Sequence, residues 1–426
     1  MANHRLVVKR TKRRTNRRTK RRTKSRRINQ KGGGGPLFDA ATGKYYNINE
    51  AGGIDWVQPP STPPSSSTLS TQATAPARVP FVVSTLDHPA GVDSVAWAHD
   101  WSLLATGSSD NTVRLWRFSD DGARAECTAT LAGHTGSVKS VAFHLNPIIV
   151  EPGKRLLATG STRGGVGGGG KEATAVKLWS CSRDGKEASL VATLDGGSRK
   201  GCPVAFHPRL PLLATNSDDT VKLWWLRNPS DPLCVSSLVD DAGGSVVSLA
   251  FHPTAPLMAF GNDAGTVKLC RFSDDGSALT CVATLVGHIG TVWSVAFHPR
   301  LPLLATGSGD NTAKLWRFSP DGSTATCEAT LGEHSRNVFS VAFHPTLPLL
   351  ATGSFDGTAK LCRFSDDGSA LTCLATLTGG HGDTAVTAVT SVAFDPASSS
   401  LAIGSWDKTV KTYKIIPGTT IDWINI

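Results

Sequence analysis

Histidine, aspartate, serine and threonine recur in this chain at spacings that could serve hydrolysis. His288 lies 18 residues before Thr306, and Asp310 and Trp316 follow; His88, Thr106, Asp110 and Trp116 repeat the same offsets. A nucleophile, a base and an orienting carboxylate would be the ingredients of acyl transfer. However, partial sets recur at His334, Thr352, Asp356 and at His134, Thr159, Trp179. A catalytic set is expected once, not in graded copies, so these residues read as structural and the chain as a non-enzyme. The Gly-rich insert at 164–170 lacks the Gly-Lys-Ser/Thr ending of a phosphate loop, and no helix pattern opens after it.

The elements that must position these residues come from one repeated unit. Cys281 to Phe318 reads CVATLVGHIGTVWSVAFHPRLPLLATGSGDNTAKLWRF, and an edited copy follows from Cys327 to Phe364. The aromatic anchor falls at Trp97, Phe143, Phe206, Phe251, Phe297, Phe343 and Phe394, which gives seven copies. Each contains four short strand-like runs separated by turn signals. A four-stranded sheet cannot bury both faces alone, whereas radial stacking of such sheets can.

With its Gly-His pairs at 133–134 and 287–288, its Ser-x-Asp turn and its Leu-Trp ending, the unit resembles the WD repeat. The resemblance implies an all-β, seven-bladed propeller over residues 81–416. It also implies that Phe81–Leu86 completes the last blade; the C-terminal tail 417–426 is a rival for that edge or packs beside it. In the family, the His, Thr, Asp and Trp form one hydrogen-bonded network per blade. That role carries over to His88, Thr106, Asp110, Trp116 and to His288, Thr306, Asp310, Trp316. Blade seven offers His381, Asp407 and Tyr413. Blade three lacks the His and blade four keeps only Asp263, so these two are expected to be the least rigid. No cofactor or metal is implied. The FHP histidines and the cysteines ahead of each fourth strand recur on neighbouring blades, roughly 10 Å or more apart. Zinc needs ligands at about 2.0–2.3 Å. Disulfides are disfavoured for the same reason, and the cysteines read as small buried hydrophobes of a reducing compartment.

Charge is segregated along the chain. Residues 1–31 hold 15 Lys or Arg and no acid, whereas the chain from residue 81 onward has a net charge of −4. Arg13, Arg14, Arg17, Arg18, Arg21 and Arg22 are the centre of a disordered, polyanion-binding or nuclear-import arm. Residues 32–80 read as a Gly/Pro/Ser-rich linker. Within it, 38–60 resembles the last two strands of a WW domain through Gly43–Lys44, Tyr45–Tyr46, Asn47 and the Trp56-x-x-Pro59 ending. The resemblance implies a polyproline groove at Tyr46 and Trp56. No apolar run is long enough for a transmembrane helix or a secretory signal, so a nuclear or cytoplasmic protein without membrane contact is expected.

Function should lie where the copies differ. The residue between the paired valine and serine of the first strand is Asp93, Lys139, Val247, Trp293, Phe339 or Thr390. The residue before the turn Asp is Ser109, Ser217, Gly309, Phe355 or Trp406. Large aromatics gather in copies five to seven, with Arg336 nearby. Trp293, Phe339, Arg336, Phe355 and Trp406 are therefore the expected docking residues for a protein or peptide, on a monomeric propeller within a larger complex. The alternative is a nucleic-acid-associated protein whose arm supplies sequence-independent binding while the propeller recruits partners.

Overall fold

The computed structural model describes residues 37–39, 44–48, 54–57 and 81–415, the last span without 121, 146–152, 163–175, 199, 242, 274, 366, 379–386 and 398–399. The described residues contain strands and no helix. They divide into two units, before and after Ala75.

The first unit is a small antiparallel sheet of Leu37–Asp39, Lys44–Ile48 and Ile54–Val57, with Tyr46 opposite Trp56. It has one strand more than the hairpin expected from sequence. The short Leu37–Phe38 run supplies it, pairing Leu37 with Tyr46.

The second unit contains seven four-stranded antiparallel sheets. Blade five is representative: Val292–Phe297, Leu303–Ser308, Ala313–Phe318 and Ala325–Leu331, in that spatial order. Its second strand is buried at every position, and Leu303 and Leu304 are inaccessible to solvent. Burying one such side chain contributes about 1.5–3 kcal/mol. The outer strand alternates, because it forms the rim of the blade. Blades pack closely at the second strand, where a side chain on Gly307 would place its Cβ 2.9 Å from Val338 Cγ1 of blade six.

Ring closure crosses the chain ends. Phe81–Asp87 is the fourth strand of blade seven and pairs with Thr409–Lys414. It removes the free edge that blade seven would otherwise present.

Every joint between blades carries a hydrogen bond near the channel. Backbone amides of Val141, Val204, Val341, Val392 and Val95 donate to Ser94, Ser140, Ser294, Ser340 and Ser391 of the preceding blade, at 3.1–3.2 Å. Ser248 Oγ donates to the Val292 carbonyl at 2.9 Å. At the joint from blade three to four, Pro203 stands where the other first strands carry this serine. There Asn216 Nδ2 instead donates to the Val246 carbonyl at 2.6 Å.

Breaking one such bond should weaken the whole ring. Ser391→Ala leaves the Val95 amide without its hydroxyl partner and should cost about 1 kcal/mol in urea unfolding. An unchanged unfolding midpoint would show that this joint carries no weight.

Candidate docking site at the channel mouth

In six blades the first strand pairs with its neighbour until a β-bulge interrupts the register. The skipped residues are Asp93, Lys139, Val247, Trp293, Phe339 and Thr390. A bulge re-aims its extra side chain, and all six line one central cavity of about 400 Å³. Blade three has no such bulge. Its first strand is only Val204–Phe206, and Lys200, Cys202 and Pro203 line the cavity in its place.

On one side of the mouth the rings touch in series. Trp293 lies 5.6 Å from Phe339, and Phe339 lies 5.8 Å from Phe355 and 6.0 Å from Trp406. Phe355 and Trp406 are 5.7 Å apart, and the exposed Arg336 guanidinium sits 5.3 Å above Phe355. These arrangements are mostly edge-to-face, the preferred geometry for aromatic pairs. Trp293, Phe339 and Trp406 line the cavity, whereas Phe355 and Arg336 extend the wall outside it. Trp406 is 42% exposed. The buried Trp293 Nε1–H has no hydrogen-bond acceptor.

The other side is polar. The nearly buried Asp93 carboxylate accepts from Ser109 Oγ at 2.7 Å, Lys139 Nζ at 2.7 Å and Trp406 Nε1 at 2.9 Å. It ties blades one, two and seven together. Lys200 reaches Asp263 of blade four at 2.5 Å. Neither link emerged from the sequence reading, although Asp93 and Lys139 occupy equivalent positions on adjacent copies, which was the available signal.

The recurrent His, Thr and Asp do not line the cavity; they bond to one another within the blades. In blade five, His288 Nδ1–H donates to Asp310 at 2.7 Å, and His288 Nε2 accepts from Thr306 at 2.7 Å. Trp316 Nε1–H donates to the same threonine hydroxyl at 2.9 Å. In blade six, His334, Asp356 and Thr352 repeat the first two bonds, with Cys362 in the tryptophan position. Blade one departs from the expected set. His88 meets Thr106 at 2.8 Å and Trp116 meets it at 3.1 Å, yet Asp110 does not reach His88. Arg114 stands where blades five and six have Lys314 and Lys360, and its guanidinium takes Asp110 at 2.8 Å. His88 Nδ1 turns to the Leu86 carbonyl.

Blade four replaces the network that sequence reading found missing. Phe260 occupies the threonine position, and Asn262 donates to the buried Asp240 at 2.6 Å. Lys268 contacts Asp240 and Asp241. Blade three keeps the Trp224–Thr215 bond at 2.9 Å.

The FHP histidines act locally. His298 Nδ1 accepts from the Arg300 and Leu301 amides, and its ring lies 5.0 Å from Phe343 of the next blade. His207, His252 and His344 do the same.

The cysteine reading needs two corrections. Cys127, Cys234 and Cys327 are exposed, because they lie on outer strands. Cys270 and Cys281 are joined by a disulfide. The sequence comparison set cysteines of neighbouring blades against one another, but this partner lies within the same blade. Cys270 replaces the third-strand tryptophan and so faces Cys281 across the ladder.

Five stretches, 81–117, 125–166, 279–317, 325–363 and 371–414, match the family "WD domain, G-beta repeat". Together with seven four-stranded sheets closed into a ring, this decides the family. The chain is a WD-repeat β-propeller protein. The unmatched span of this WD-repeat protein, 167–278, includes blades three and four, where the blade networks are altered. The chain is 35% identical over 174 residues to Pre-mRNA-processing factor 19 homolog 2 of Arabidopsis thaliana, covering 34% of this chain and 32% of that protein. It is 31% identical over 167 residues to Pre-mRNA-processing factor 19 of Oryza sativa subsp. japonica, covering 33% and 31%. A 68-residue stretch is 43% identical to Probable cytosolic iron-sulfur protein assembly protein 1 of Malassezia globosa, covering 14% and 19%. The matches thus span a third or less of these relatives' lengths.

Tyr46 and Trp56 are cross-strand partners in the small sheet. Arg13, Arg14, Arg17, Arg18, Arg21 and Arg22 lie outside the described residues, as do His381 and the tail 417–426.

Burial holds His88, His134, His207, His298 and His344 neutral, lowering each from 6.5 to about 4. The unfolded chain takes up these protons below about pH 6.5, while the folded chain does not. Stability should therefore fall as pH drops from about 6.5 toward about 4. Thermal unfolding followed between pH ~7 and ~4 should show a progressive loss of Tm. A flat Tm down to about pH 4 would contradict neutral, buried histidines.

Proposed function

We propose that this WD-repeat protein is a non-enzymatic scaffold that docks a protein segment at the channel mouth. The carrying observation is the run of touching rings, Trp293, Phe339, Phe355 and Trp406, on three consecutive blades. Aromatic anchors are enriched among residues that dominate binding energy. The unspent Trp293 Nε1–H supports the reading, since a buried donor without an acceptor is costly and a partner carbonyl or carboxylate would satisfy it. The charged residues of the cavity lining are one aspartate and two lysines, and Arg336 is exposed beside it. Lys139 and Lys200 are paired with Asp93 and Asp263, so the partner segment carries an apolar or aromatic side chain with an acidic group within reach of Arg336. The propeller acts as a monomeric module within a larger complex.

The basic arm, centred on Arg13 to Arg22, serves nuclear import or polyanion binding. The relatives named for pre-mRNA processing and for a cytosolic assembly step fit a nuclear or cytoplasmic protein. In the second reading the arm supplies most of the affinity for nucleic acid and the propeller recruits partners. The arm's 15 cationic side chains without a carboxylate favour it. The WW-like stretch 38–60 would bind proline-rich segments through Tyr46 and Trp56.

Affinity capture with wild type against Phe355→Ala/Trp406→Ala, followed by titration of the captured partner, tests the docking site. Loss of about 2 kcal/mol, roughly 30-fold in Kd, is expected at a temperature where the variant is still fully folded. Unchanged partners and affinity would remove the site. Deleting residues 1–31 tests the second reading. If the arm makes 6–10 phosphate contacts, binding of the full chain to RNA or DNA should fall about 10³–10⁵-fold between 50 and 200 mM salt. Deletion should abolish that dependence while leaving partner capture intact.

A further inference from the structure

The twelve-residue segment CRFSDDGSALTC occurs twice without change, at 270–281 in blade four and at 362–373 in blade six. In both blades its terminal cysteines are direct cross-strand partners on the third and fourth strands. In blade five the same position pairs Trp316 with Cys327, and in blade one it pairs Trp116 with Cys127. Loss of the third-strand tryptophan thus creates a facing dithiol in blades four and six. The first pair is a disulfide, whereas Cys362 and Cys373 are free thiols.

We propose that Cys362 and Cys373 are a redox-active pair that closes a reversible disulfide across blade six, equivalent to Cys270–Cys281. The ladder already sets the two thiols opposite one another, so closure needs no rearrangement of strands. Cys373 is partly exposed, and Cys362 is buried behind it. A hydrogen bond from Cys362 holds the Cys373 thiol below its ordinary value, and the same bond, with burial, pushes Cys362 up. Cys373 is therefore the thiol that reacts first.

The co-reactant is a small disulfide. The Cys373 thiolate attacks one of its sulfurs, forming a mixed disulfide and releasing one thiolate. Cys362 then gives up its proton and attacks the Cys373 sulfur, releasing the second thiolate. Two electrons pass from the protein dithiol to the small disulfide, which leaves as two thiols. The closed bond staples the third and fourth strands of the blade that carries Arg336, Phe339 and Phe355.

The test equilibrates the full chain with graded mixtures of reduced and oxidised glutathione, blocks free thiols with N-ethylmaleimide and maps tryptic peptides by mass. Trypsin releases the same Leu-Cys-Arg tripeptide from both blades, so Cys362→Ser is needed to assign it. The expected result is this tripeptide linked to the peptide that begins at Phe364. In Cys362→Ser that link should vanish, with Cys373 carrying glutathione instead. Cys327, which faces Trp316, should give only the mixed disulfide in either chain. The proposal is overturned if Cys362 and Cys373 both carry maleimide in mixtures that keep Cys270–Cys281 closed. It is also overturned if wild-type Cys373 stops at the glutathione adduct.

Discussion

The hydrogen bond between adjacent first strands is what the rest of the propeller depends on. Blades meet in a narrow inner ring, and there a serine following the bulge binds the backbone of the next blade. These groups are buried or partly buried, and leaving one unpaired costs about 1–3 kcal/mol. The bulge and the serine are adjacent in sequence, so the same local geometry that joins two blades also aims one variable side chain at the channel. Architecture and recognition are in this way coupled at one residue's distance.

That coupling explains the exception at blade three. Pro203 lacks both the hydroxyl and the amide proton that the pattern uses. The strand shortens, its bulge disappears, and Asn216 bridges to blade four from the second strand instead. Blade four shows the same substitution logic in its interior, where Asp240, Asn262 and Lys268 stand in for a histidine-centred network. The two blades that depart from the repeat's usual chemistry are satisfied by other polar groups. Asp93 plays a comparable role at closure, where a carboxylate binds donors from blades one, two and seven.

Much of this was legible in the sequence. The spacing of Trp97 through Phe394 gave seven blades, and the orphan run at Phe81 gave the closing strand. The variable residue between valine and serine could be singled out because every other position in that strand was nearly constant. Pairings between side chains of different copies were not legible. Asp110 was assigned to His88 by its position, but Arg114, one charge with a longer reach than the lysines of other copies, takes it. The Cys270–Cys281 bond was missed because the repeat invites comparison of equivalent positions, whereas the bond joins two different positions of one copy. Asp240 was missed because it stands two residues after Leu238, whereas His288 stands three after the equivalent Leu285.

The central claim is that the channel mouth, held by this ring, is the surface that meets a partner. Photo-crosslinking from defined positions tests it most directly. Benzoylphenylalanine at Asn337, which lines the cavity, should form a covalent adduct with a partner in cells, whereas the same group at exposed Glu187, outside the cavity lining, should not. Adducts from position 187 with none from position 337 would contradict the account.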